Sequence, residues 1–281
     1  MGFVGVLTAR SEFDAIEDRL RGIERALDAG APISVVDHDE FARLPGELEL
    51  YRAALALVRG DGARTVDHAA RAVERAAADD HLTRGGAYAL QGLSSWSSGD
   101  LTEAQRTYSA AVDELLSAGH IADVLGCSIA LSDILITQGR LNEAARTYEH
   151  ALLLTSDSPI PLRGTPDMYV GLAQIACERD DLPAALDHLH RAEHLGDPMG
   201  LPQYPYRRLV ALAGIRHAEG DLRGAADLLA EAERVYAGDY SPEVRPVGAL
   251  RARVLITQGR LDEARAWVRR ACLRADDDVA Y

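Results

Sequence analysis

Gly99-Asp100-Leu101-Thr102-Glu103-Ala104 decides the fold, because the chain returns to it. It comes back as Gly139-Arg140-Leu141-Asn142-Glu143-Ala144, as Gly220-Asp221-Leu222-Arg223-Gly224-Ala225 and as Gly259-Arg260-Leu261-Asp262-Glu263-Ala264. A further copy, Asp180-Asp181-Leu182-Pro183-Ala184-Ala185, carries Asp in place of the glycine, and a weaker one opens at Gly60-Asp61-Gly62. The leucines stand at 101, 141, 182, 222 and 261, so the intervals are 40, 41, 40 and 39. A constant period of this length is the signature of a stacked repeat.

The segment before each glycine reads as a helix, as in Ala87 to Ser98 and Val124 to Gln138. A glycine there ends the helix, because it enters the left-handed region without a Cβ penalty. A second helix begins two or three residues later, and Pro183 sits where a missing N–H costs nothing. That second helix carries small, large and small residues at offsets of zero, four and seven. The sets are Ala104/Tyr108/Ala111, Ala144/Tyr148/Ala151, Ala185/Leu189/Ala192, Ala225/Leu229/Ala232 and Ala264/Val268/Ala271. These offsets share one helical face. The first helix adds a small residue seven before the turn: Gly92, Ser132, Ala173, Ala213 and Ala252. Small residues let paired helices approach, and the large one fills the space between them.

This grammar resembles a tetratricopeptide array with a lengthened repeat. The fold class it implies is all-α: a tetratricopeptide-like solenoid of about six helix pairs with a roughly 40-residue period, wound as a right-handed superhelix. The array is expected over 47–281 as one continuous solenoid. Residues 1–46 are expected to supply an N-terminal helix, from about Glu12 to Ala29, and a capping segment, Gly30 to Leu44, that breaks the period. Ile33 to Val36 is the one short strand candidate.

A narrower likeness lies in Asp79-Asp80-His81-Leu82-Thr83-Arg84-Gly85-Gly86-Ala87, in Gly171-Leu172-Ala173-Gln174-Ile175-Ala176-Cys177-Glu178 and in Arg245-Pro246-Val247-Gly248-Ala249-Leu250-Arg251-Ala252-Arg253. Over residues 47 to 281 the chain resembles the helical sensor region of LuxR-type, MalT-like transcriptional activators. That resemblance implies an array that senses an inducer, placed between a nucleotide-binding switch domain and a C-terminal helix-turn-helix. The chain departs from the full pattern: it has no lysine, hence no Gly-x-x-x-x-Gly-Lys-Ser/Thr loop, and ends at Ala280-Tyr281 without a reader helix. A fragment is the expectation, with no ATP or DNA chemistry of its own.

Composition agrees. The chain has 281 residues, 30 basic and 44 acidic, for a net charge of −14, and all its basic residues are arginine. Such a balance opposes contact with a nucleic-acid backbone. No segment is apolar enough to span a membrane, no basic stretch precedes Phe3-Val4 as a secretory signal requires, and a cytoplasmic protein is expected.

Catalysis finds no support: no Gly-x-Ser-x-Gly elbow and no glycine loop after a strand are present, and the chain is read as a non-enzyme without cofactors. His190 and His194 have metal-ligand spacing, yet they follow the packing positions Leu189 and Ala192, which turns them outward. Cys127, Cys177 and Cys272 fit no disulfide or zinc pattern, and packing is preferred over redox sensing.

Binding is the stronger reading. On tetratricopeptide solenoids the first helix of each pair lines the concave surface. Carried over by position, that places Trp96, Asp133, Gln174, Glu178, Arg207, His217 and Arg253 in a groove. Trp96 would offer a stacking face, and Arg207 and Arg253 planar donors for a carboxylate or phosphate. The bland counterpart has these residues solvating the groove or pairing together, for example Arg207 with Glu178. The expected partner is a small-molecule inducer, or a protein or peptide, with self-association as an added possibility. The alternative function is a free-standing tetratricopeptide protein-interaction scaffold.

Overall fold

The computed structural model describes residues 13–28, 37–156, 162–236 and 246–272. Among them are thirteen α-helices and no strand. In chain order they are α1 (Phe13–Asp28), α2 (His38–Val58), α3 (Gly62–Arg75), α4 (His81–Ser97), α5 (Leu101–Ser117), α6 (Ile121–Thr137) and α7 (Leu141–Ser156). Then follow α8 (Thr165–Glu178), α9 (Leu182–Leu195), α10 (Tyr204–Ala218), α11 (Leu222–Val235), α12 (Val247–Thr257) and α13 (Leu261–Arg270). From α2 onward they fall into six pairs, as the repeat spacing predicts. The strand candidate at Ile33 to Val36 lies outside the described residues, as does most of the acidic C-terminal stretch.

Each pair closes with the expected turn. After α4 the Gly99 N–H bonds the Trp96 carbonyl (3.0 Å) and the Asp100 N–H bonds the Ser95 carbonyl (2.9 Å), satisfying carbonyls that a helix end leaves orphaned. Gly99 has φ 84°, and Asp180, standing where the other copies carry glycine, is held at φ 60°. Aspartate tolerates the left-handed region better than most residues, which is why the copy survives the exchange.

The small–large–small stripes are buried in the second to fifth of these pairs. The Tyr108 ring lies where a Cβ on Gly92 would go, and the Tyr148 ring covers Gly171 on the first helix of the next pair so closely that a Cβ there would overlap it. In the last pair Ala264 is buried while Val268 is 39% exposed; no helix follows α13 among the described residues to cover it.

One boundary differs from expectation. The period-breaking segment ends early, because His38 to Leu44 is helical and continuous with the array's first helix. Asp37 caps it, its carboxylate accepting the Asp39 and Glu40 N–H groups (3.0 Å each). Pro45 sits inside, where it removes one backbone donor without ending the helix.

The contacts divide the chain into two compact units, Met1–His120 and Ile121–Tyr281. In the first, α1 packs on α2 through Ile16, Leu20, Leu48 and Leu55, and Arg52 forks onto Glu24 (2.9 and 2.6 Å). In the second, the first helices of successive pairs pack side by side, α6 on α8 and α8 on α10.

Candidate functional site

The second unit holds a polar cluster where its first helices meet. Arg207, in the first turn of α10, reaches across α8 to Asp133 on α6. Its Nη1 donates to Asp133 Oδ2 (3.1 Å) and its Nη2 to Oδ1 (3.3 Å), over a separation of 74 residues. The two side chains are only 11% and 24% exposed. Burial, the largest influence, works to lower the Arg207 pKa, but the charge and bonds of Asp133 together with Tyr148 and Tyr206 hold the guanidinium above its ordinary range. The fork leaves Nε without a protein partner.

Asp167 and Tyr148 complete the cluster. Asp167, in the first turn of α8, is 0% exposed. Its Oδ2 accepts the Leu201 N–H (2.9 Å), whereas Oδ1 has no partner. Burial pushes this carboxyl up to about 6, against the pull of the Leu201 bond and the Arg207 charge. Tyr148, the large residue of α7, is fully buried with an unpartnered hydroxyl. Burial raises its pKa, and the charges of Asp133, Arg207 and Asp167 all act on it. Tyr204, just before Arg207, likewise has a buried, unpartnered hydroxyl, pushed up to about 12 chiefly by burial. Buried polar atoms in native proteins are nearly always bonded, so four such atoms on neighbouring residues set this cluster apart from the apolar packing around it.

The seven predicted groove residues fare unequally. Asp133 and Arg207 pair with each other, as the bland counterpart allowed, with Asp133 rather than Glu178 as the partner. Gln174 is half-buried on α8, seven residues after Asp167 and so on the same face. Glu178, His217 and Arg253 are exposed. Trp96 corrects the expectation outright: at 1% exposure it belongs to the core of the first unit and offers no face for stacking. The reason is its register, since Trp96 follows Gly92 by four and shares the face that meets Tyr108.

Two residues of the cluster escaped the sequence reading. Asp167 looks like an ordinary first-turn acid after Thr165-Pro166, and Tyr148 like a pure packing residue. Elsewhere, His190 and His194 are exposed, and no group of three metal-ligating side chains occurs among the described residues. Burial pushes the Cys127 thiol up to about 12 and raises Cys177, which packs against the core, while Cys272 is exposed. Raised pKa values suppress the reactive thiolate. No helix among the described residues is long and apolar enough to cross a membrane.

Comparison with known proteins adds to this geometry. The family described as the MalT-like TPR region matches residues 46–281. No curated protein matches the chain. Among solved structures, the apo form of RapI superposes with a TM-score of 0.69 at 12% identity, covering 95% of this chain and 92% of that one. A Rap protein complexed with Competence and Sporulation Factor gives 0.66 at 13% identity, with 96% and 73% covered. NprR in complex with its cognate peptide NprX gives 0.59 at 12% identity, with 97% and 76% covered. At such identities the likeness is one of fold.

Proposed function

The chain belongs to the MalT-like TPR family, and from that premise we propose that it is the signal-sensing helical region of a transcriptional regulator. In this reading the inner face of α6, α8 and α10 takes a peptide or a small inducer, and binding controls how the activator assembles. The Asp133–Arg207 bridge, part-buried and spanning three helices, carries the proposal. Arg207 supplies a rigid fork for a carboxylate, such as a peptide terminus or an acidic inducer. Asp167 and Tyr148 lie buried behind the bridge and back it from the core side. The NprR structure, which holds a peptide, supports a peptide as the class of occupant.

The proposed role is one of binding, with no catalytic step and no cofactor. A ligand shifts such a switch only through differential affinity for two conformations. The test is calorimetric titration of the purified chain with a panel of short peptides and small acidic metabolites, with light scattering on each mixture. A ligand that binds the native chain, fails on Arg207→Gln and changes the assembly state supports the reading. Capture of a peptide with no change in assembly favours the interaction scaffold instead.

A further inference from the structure

Six second helices follow a tight turn, and the residues just before them are Asp61, Asp100, Arg140, Asp181, Asp221 and Arg260. Each aspartate caps its helix, accepting an N–H three residues on at 3.0, 3.0, 3.1 and 2.8 Å. Arginine cannot accept. At the start of α7, Arg140 instead forks onto Glu143 (2.7 and 2.6 Å) and donates to Gln138 Oε1 (3.2 Å).

Two more guanidiniums converge on the same place. Arg146 lies farther along α7, and Arg179 comes from the turn after α8. With Gly139, Leu141, Asn142 and Glu143 these arginines line a concavity of about 450 Å³. The single carboxylate in that lining, Glu143, is already taken by Arg140. Arg179 donates to a neutral amide, Asn142 Oδ1 (2.6 Å), and the Arg146 charge acts on Glu143 only at longer range. Within the lining, three cations face one anion at a helix end that is itself positive, while Glu178, Asp180 and Asp181 flank Arg179 outside it.

The molecule contains its own control. At Arg260 the same turn recurs, with the same fork onto Glu263 (2.6 and 2.8 Å) and the same bond to Gln258 (2.9 Å). There, however, Asp262 stands in the place of Asn142, Ala266 in the place of Arg146, and Asp262 is paired with Arg265 (3.3 Å). One turn is neutralised from within and the other is not.

We propose that the concavity at the start of α7 is an oxyanion-binding site, taking a ligand that carries a phosphoryl group or paired carboxylates. Arg146 and Arg179 meet it as planar forks, and the first-turn N–H groups of Leu141 and Asn142 add donors. The site is separate from the Asp133–Arg207 cluster and does not depend on the function proposed for it.

The experiment is titration of the native chain at low salt with inorganic pyrophosphate and, separately, with citrate. The same titrations are run on Arg146→Gln/Arg179→Gln and on Arg265→Gln, with circular dichroism melts to verify folding. The expected result is saturable binding that the double variant weakens by at least about tenfold and Arg265→Gln leaves unchanged. Preference for pyrophosphate identifies a phosphoryl ligand and preference for citrate a polycarboxylate; either supports the site. Equal binding by a folded double variant, or no saturation by about 10 mM of either anion, overturns it.

Discussion

Glu49 in the first unit and Asp167 in the second are buried carboxylates treated in opposite ways. Asp80 of the first unit is held like Asp167, one oxygen on the Thr83 N–H (3.2 Å) and the other unpartnered. In the first unit Glu49, on α2, is 3% exposed and surrounded by cations from α3. His68 Nδ1 lies 2.7 Å away, Arg71 Nε 3.0 Å and Arg75 Nη1 2.9 Å. Burial alone would raise its pKa, but the bonds from His68 and Arg71 reverse the sign and hold it below the ordinary 4.5. In the second unit Asp167 is buried as deeply, yet has one backbone N–H and an orphan oxygen, and its pKa rises. A satisfied buried charge ties two helices together, whereas an unsatisfied one costs stability that only another role can justify.

The comparison breaks most visibly at Glu49. Glu49→Ala leaves Arg71, Arg75 and His68 without their shared acceptor. It is expected to destabilise the first unit by about 2–3 kcal/mol, since the two arginines are partly solvated, read by urea unfolding. Asp167 answers to pH instead. Its native pKa, about 6, lies above its ordinary 3.8, so the native state holds the extra proton between those values and stability falls as pH rises through that window. The loss is about 2–3 kcal/mol, and it should vanish in Asp167→Asn. Glu49 has the opposite sign: its contribution is present above pH 4.5 and is lost as the solution is acidified. Urea midpoints taken at pH 4, 5, 6 and 7 distinguish the two.

Smaller effects sharpen the same contrast. Gly171→Ala forces the Tyr148 ring off its seat beside Asp167 and is expected to cost about 2 kcal/mol, measured as a lowered melting temperature. Gly139→Ala places a Cβ in the left-handed region, at φ 75°, for about 1 kcal/mol, while Asp180→Ala costs less because that turn has already adapted to a side chain.

Local rules made the fold readable. Turn glycines and the Ala–large–Ala stripe each act within a few residues, so the six pairs could be placed from the string alone. The site was legible only in part. Asp133 and Arg207 stand out as polar residues beside the packing positions, but their union spans 74 residues and depends on how three helices stack. Nothing near Asp167 or Glu49 announces its depth, since Glu47-Leu48-Glu49-Leu50 reads like any amphipathic stretch. Trp96 was misplaced for want of a register argument, because its offset of four from Gly92 directs it to the core.

The Asp133–Arg207 bridge has a mechanical consequence. It joins α6 to α10 while α8 lies between them, so it serves as the string of a short bow whose limb is three helices. A solute that draws Arg207 onto itself slackens the string. In the proposed binding role, that exchange of two hydrogen bonds is what would let α6 and α10 turn relative to α8.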